Sequence, residues 1–220
     1  MKLYKYIRSK YLDDFINKGL ILFRSLSYFK NYEEDQIRGD RFEGTKKYAP
    51  SDGLIINNLT TGKTFKLKSS FESNVKGNDI FIFCMSSKHD QDMYNKFNAD
   101  ICIELTDANE FIKKVAQAVN IIKHTILIHG FVNYYNFNDP PIVDWALPDK
   151  IIMSKHEYFK WQSEYRIAFG INSAFKIENV DLFLEKDNTS CKLGNEIHTT
   201  HHLELGSLKK ITKIYKFNKI

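Results

Sequence analysis

Cysteine, proline and long apolar runs are all scarce in this chain of 220 residues, and each scarcity excludes a class of protein. The three cysteines, Cys84, Cys102 and Cys191, are too few and too scattered for a disulfide framework. Cys84 and Cys102 sit in apolar, strand-like runs, which suits reduced core thiols. Apolar runs such as Ile80–Met85 and Thr125–Ile128 fall far short of the roughly 20 residues a membrane-spanning helix needs. Met1–Arg8 carries Lys and Tyr where the apolar part of a secretory leader would stand. The expectation is a cytoplasmic protein with no membrane partner.

Several catalytic signatures are missing as well. There is no dinucleotide-fold glycine pattern, no Gly-x-Ser-x-Gly elbow and no His-Glu-x-x-His helix. Gly62-Lys63-Thr64 looks like the end of a phosphate-binding loop, but Asn57 stands where the loop's first glycine belongs. His198, His201 and His202 cluster near Cys191 without a second ligand pair at zinc spacing, so no metal is expected there.

The chain does have ordinary globular composition, 43% hydrophobic and 27% charged, enough for one sizeable core. Its formal charge of +5 tolerates a polyanion without demanding one. Sequence pattern predicts strands over Leu3–Ile7, Leu20–Tyr28, Asp79–Ser86 (apolar on both faces), Asp100–Leu105, Trp161–Phe169, Val180–Leu184 and Ile211–Phe217. Thr125–Tyr135 is strand-rich. A hairpin, Leu54–Ile56 with Thr64–Leu67, turns around Thr61-Gly62. Helices are predicted over Lys10–Lys18, stopped by Gly19, after Asp90, and over Ala108–Ile122 behind an Asp107/Glu110 capping box. Lys68–Asn78 reads as a polar connection, and a short helical segment starts at Ser154. The pattern is α+β: one domain over residues 1–220, mainly antiparallel sheet with a few flanking helices, and residues 49–78 as a hairpin insertion.

Two stretches carry the chemistry. Phe23–Gly44 starts as a strand with Ser25 and Ser27 on one face. It passes the aromatic pair Tyr28 and Phe29, then packs Glu33, Glu34, Asp35, Arg38, Asp40, Arg41 and Glu43 into a short run that includes Gly39 and ends at Gly44. Both charge signs beside aromatics suit a grip on a polar ligand, or a lid over one. In Trp161–Phe169, a period of two places Gln162, Glu164 and Arg166 on one face, as a cleft wall or an ion-pair ladder.

Leu3-Tyr4-Lys5-Tyr6, Gly19, Phe23–Phe29, Phe83-Cys84-Met85-Ser86, Met93–Phe97 and Glu164-Tyr165-Arg166 together resemble a bacterial and phage family known as a domain of unknown function. That family's Phe-Asn-Asp-Pro-x-Glu-like turn is replaced here by Phe29-Lys30-Asn31-Tyr32-Glu33. At motif level, Arg8 after the first strand, Ser25-Leu26-Ser27 and Gln162-Ser163-Glu164 also resemble ADP-ribosyltransferases of the Arg-Ser-Glu type. The second resemblance implies an ADP-ribosyltransferase-like fold, NAD as cofactor, and a macromolecular acceptor, protein or nucleic acid. It also implies a role as a toxin or as a phage-defence or counter-defence factor.

It further implies roles for individual residues. Glu164 would hold a ribose hydroxyl and favour the oxocarbenium-like centre formed as nicotinamide leaves, while Gln162 would orient the acceptor. Ser25 or Ser27 would hold Glu164, and Arg8 and Arg38 would meet the pyrophosphate. Tyr28 or Phe29 would stack on nicotinamide. Two other readings stand beside it. One is a metal-dependent nucleotide or nucleic-acid hydrolase with Mg²⁺ held by Asp35, Asp40, Glu43 and Glu164. The other is a nucleotide-sensing or protein-interaction module without turnover.

Overall fold

A computed structural model of the chain describes residues 1–30, 39–122, 125–175, 179–184 and 199–217. The fold is α+β. In chain order the elements open with β1 (Leu3–Ile7), β2 (Leu20–Ser25), α1 (Leu26–Lys30), β3 (Thr45–Tyr48), β4 (Leu54–Asn57), β5 (Thr64–Leu67) and β6 (Ser69–Asn74). They continue with β7 (Ile80–Ser86), α2 (Gln91–Lys96), β8 (Ile101–Leu105), α3 (Ala108–Val119), β9 (Ile126–Phe131), β10 (Asn133–Tyr135) and α4 (Pro148–Ile152). The last are β11 (Ser154–His156), β12 (Glu164–Gly170), β13 (Asn179–Leu184), β14 (Thr200–Glu204) and β15 (Thr212–Lys216).

Eight strands form one antiparallel sheet centred on β7. Its sequence, IFIFCMS, is apolar at successive positions, as a strand buried on both faces must be. β12 follows one edge of β7 along its whole length, from Glu164 opposite Ser86 to Gly170 opposite Ile80. The other edge is shared. β2 pairs at Ile82 and Phe81, and β1 pairs at Ser86. Between them, Phe83–Met85 have no strand partner on that edge among the described residues. β1 and β2 therefore fork away from β7, and the sheet is split at its centre. β8 and β15 extend the β1 arm, and β14 extends the β2 arm.

One face of the sheet is covered by α3, whose Phe111, Val115 and Val119 pack on Leu3, Phe23, Phe83 and Ile103. Asp107 caps this helix by accepting the Glu110 N–H at 3.0 Å. A second apolar cluster on the other face joins Leu26, Ile80, Ile82, Ile151, Ile152 and Ala168. Gly19 links the opening helical turns to β2 with φ +62°, and a Cβ there would stand 2.3 Å from the Gly206 carbonyl oxygen. Only glycine combines that backbone conformation with that approach.

Three sequence expectations are corrected. The second strand ends at Ser25, and Leu26–Lys30 is helical, because Leu26 turns inward to the second apolar cluster. Ser69–Asn74 is the middle strand of a three-stranded sheet, β13-β6-β3, and not a loose connection. Its serines, Ser69, Ser70 and Ser73, are buried and hid it from a hydrophobicity reading. The predicted strand over Trp161–Phe169 begins only at Glu164. Glu157–Gln162 is a 3₁₀ turn, and Ser163, at φ +44°, makes the break between them. The hairpin β4–β5 pairs Leu54 with Leu67 and Asn57 with Thr64, as expected. Among the described residues no helix is long and apolar enough to cross a membrane.

Candidate functional site: a cleft at the strand fork

The fork opens a cavity of about 690 Å³, within the range of small-molecule sites. β1 contributes Tyr4, Lys5 and Tyr6, and Arg8 follows from the strand's end. β2 and α1 contribute Arg24, Tyr28 and Phe29. The buried wall is made of Glu43, Cys84, Lys155, Gln162, Glu164 and Arg166. Lys5 crosses the split: its Nζ donates to the Cys84 carbonyl oxygen at 2.6 Å and lies 4.2 Å above the Phe83 ring. A residue in an antiparallel strand points its N–H and C=O to the same edge, so the Cys84 N–H also faces the fork.

The wall is an ion cluster built by four parts of the chain. Register places Glu164 and Arg166 on the face shared by Ser86 and Cys84. Arg166 is fully buried. Its Nε donates to Glu164 Oε1 at 2.7 Å, and its two terminal nitrogens donate to Glu43 Oε1 and Oε2 at 2.6 and 3.2 Å. A further donation from Nη1, at 2.5 Å, reaches the Ile152 carbonyl at the end of α4. Such a forked contact is specific to arginine. Lys155 enters from β11, with Nζ 2.9 Å from Gln162 Oε1, 3.1 Å from Glu164 Oε2 and 3.9 Å from Glu43 Oε2. Asp40 is buried beside them and accepts the Phe42 N–H at 2.9 Å.

Two cations thus face three carboxylates out of water. Burial works against ionised Glu164, but Arg166 and then Lys155 outweigh it and hold this carboxyl well below the usual range. For Lys155, burial opposes the charge, while Glu164 and Glu43 more than restore it. Asp40 is pushed upward, chiefly by burial. The Cys84 thiol is pushed up to about 12 by burial and by the Glu164 charge, so it is no thiolate nucleophile at neutral pH.

The cavity therefore gathers Glu164, Gln162, Glu43, Arg166, Arg8, Tyr28 and Phe29 from segments far apart in sequence. Gln162 reaches it from the 3₁₀ turn, and its amide meets Glu164 through Lys155 rather than by sharing a strand face. Arg8 is exposed at the rim, with Nε 3.4 Å from the Asn98 carbonyl. Tyr28 and Phe29 meet edge-to-face, ring centroids 5.3 Å apart. Ser25 and Ser27 do not join them, and this corrects their expected contact with Glu164. Ser25 pairs with Phe81, on the sheet face opposite Glu164. Its hydroxyl lies 3.0 Å from that of Ser27, which bonds Asn78. Neither serine lines the cavity. Asp35 and Arg38 lie outside the described residues.

The proposed Mg²⁺ arrangement meets a physical obstacle. Arg166 and Lys155 already occupy the space between Glu43 and Glu164, where a divalent ion would have to sit. Among the described residues, no group of three or more acidic, His or Cys side chains could hold a metal. His201 is half-buried and packs edge-on to Phe81, centroids 4.3 Å apart.

Sequence reasoning missed Arg24, Lys5 and Lys155. Arg24 stacks its guanidinium 4.1 Å from the Tyr28 ring. Lys155 carried one faint signal, a cation placed just after the apolar Ile151-Ile152-Met153 stretch. No protein-family model matches the chain, and neither a curated protein nor a solved structure matches it.

Proposed function

We propose that the fork cleft binds NAD⁺ and that the chain is an ADP-ribosyltransferase-like enzyme with Glu164 as its catalytic carboxylate. One observation carries this reading. A single cavity of dinucleotide scale has arginines at Arg8 and Arg24, aromatic rings at Tyr28 and Phe29, and an ionised Glu164 on its buried wall. The arginines suit a diphosphate and the rings suit a planar base. Cleavage of the nicotinamide–ribose bond builds positive charge at the ribose, which a fixed carboxylate in a water-poor site stabilises. Each Glu164 oxygen has two acceptor positions, so one bond to Arg166 or Lys155 leaves room for a ribose hydroxyl. The acceptor, protein or nucleic acid, is left open. The serine pair departs from the role the resemblance gives it.

A second reading, nucleotide binding without turnover, is favoured by one fact: both Glu164 oxygens are already engaged by cations. One experiment separates the two. Melting temperature and nicotinamide release are measured with NAD⁺ and ADP-ribose, for wild type and Glu164→Gln. The variant keeps two cations against Asp40 and Glu43, so it should fold. A ligand specific to the folded state raises the melting temperature by mass action. The enzyme reading expects NAD⁺ to stabilise both proteins and release to vanish in the variant. Stabilisation without release by wild type selects the binding module. No stabilisation by either ligand rejects both.

A further inference from the structure

We infer that Lys155 is a positioning residue, fixing the Gln162 amide and the Glu164 carboxylate in one geometry on the cleft wall. The inference rests on the NAD⁺ reading of this cleft. The αL residue Ser163 breaks the strand period between Gln162 and Glu164, so the backbone alone does not align their side chains. Lys155 aligns them. Its ammonium has three donors and no acceptor, and Gln162 Oε1 and Glu164 Oε2 both lie within hydrogen-bond reach.

The carboxylate plane is then held from two sides, Oε1 by Arg166 and Oε2 by Lys155. With Lys155 removed, Glu164 keeps Arg166 as its one bonded cation and can rotate about that contact. Lys155 is itself held in place. β11 pairs in parallel with β10, Tyr134 opposite Lys155, and the Ser154 hydroxyl donates to the Lys150 carbonyl at 2.6 Å. The Tyr134 hydroxyl in turn accepts the Glu164 N–H at 2.8 Å, so one small parallel ribbon supports both partners. A lysine present only to balance charge would need contact with neither the Gln162 amide nor one particular Glu164 oxygen.

The test compares Glu43→Gln with Lys155→Met/Glu43→Gln, a pair that removes one cation and one carboxylate together. The readouts are melting temperature, kcat and KM for NAD⁺, and the pH profile of kcat. Loss of positioning is expected to lower kcat about 10²-fold relative to Glu43→Gln, with KM little changed. The acid limb of the profile should move to higher pH, because Glu164 then keeps one cation instead of two. Lys155→Gln/Glu43→Gln restores an uncharged donor and should recover part of the lost kcat. Should the methionine pair fail to fold, the glutamine pair carries the comparison alone, with an intermediate kcat expected. Wild type that turns over NAD⁺ alongside a folded double variant of equal kcat, or one impaired only in KM, overturns the role of Lys155. Wild type that does not consume NAD⁺, whether or not it binds it, overturns the enzyme reading of the cleft and the inference with it.

Discussion

Arg166→Met removes the charge at the centre of the buried cluster while roughly preserving volume. In the native protein this guanidinium is fully buried and bonds Glu164, both oxygens of Glu43 and the Ile152 carbonyl. Methionine leaves Lys155 as the remaining cation against Glu43, Glu164 and Asp40. Stranding one side of a buried ion pair costs about 3–5 kcal/mol. At about 2–4 °C per kcal/mol for a domain of this size, the melting temperature should fall by roughly 6–20 °C. The loss should also depend on pH. With too few cations, the buried carboxyls of the variant are pushed above their ordinary range and bind protons that the unfolded chain has released. Stability then falls as pH rises through that window, so the deficit should be larger at pH 8 than at pH 5. Denaturant unfolding at both pH values measures it. In Arg166→Met/Glu43→Leu one stranded carboxylate is gone, and part of the loss should return, giving a coupling of about 0.5–3 kcal/mol between the sites. A single-variant loss below about 1 kcal/mol, the scale of a surface pair, would refute the account of a buried and interdependent cluster.

Two further perturbations follow from the same geometry. Asp40→Asn keeps an acceptor for the Phe42 N–H but removes a carboxyl that burial pushes upward. A raised acid weakens the fold as pH climbs above its unfolded value, so this variant should melt higher than wild type at pH 7–8 and no higher near pH 3. A lower melting temperature at pH 7–8 would show that Asp40 serves the two cations more than it suffers from burial. Lys5→Met deprives the Cys84 carbonyl of its donor across the fork, a loss of about 1–3 kcal/mol by denaturant unfolding. Unchanged stability would mean that water replaces Lys5 without cost.

Local order was largely legible in the sequence. The strand at Leu3–Ile7, the hairpin, the apolar strand before Ser86 and the capped helix at Asp107 all follow from short-range pattern. So does the mainly antiparallel α+β class. Periodicity failed where the signal was local conformation or polarity: the inward turn at Leu26, the positive φ of Ser163, and the buried serines of β6. Those failures moved Ser27 and Gln162 off the faces that alternation assigns them, while Ser25 keeps its strand face, which lies opposite Glu164.

By itself, the sequence determined which residues could carry charge and apolar contact, because element type depends on neighbours a few positions away. It placed Glu43 in one charged stretch and Arg166 in another strand, 123 positions apart, with nothing local to link them. Only the tertiary structure decided that they meet, since β1 and β2 take turns on one edge of β7 and register then aligns β12 against it. Pairing at that distance is a property of the sheet. It also explains why Lys155, inconspicuous in sequence, stands at the centre of the site: an amine buried among carboxylates acquires its role from the space the fold encloses.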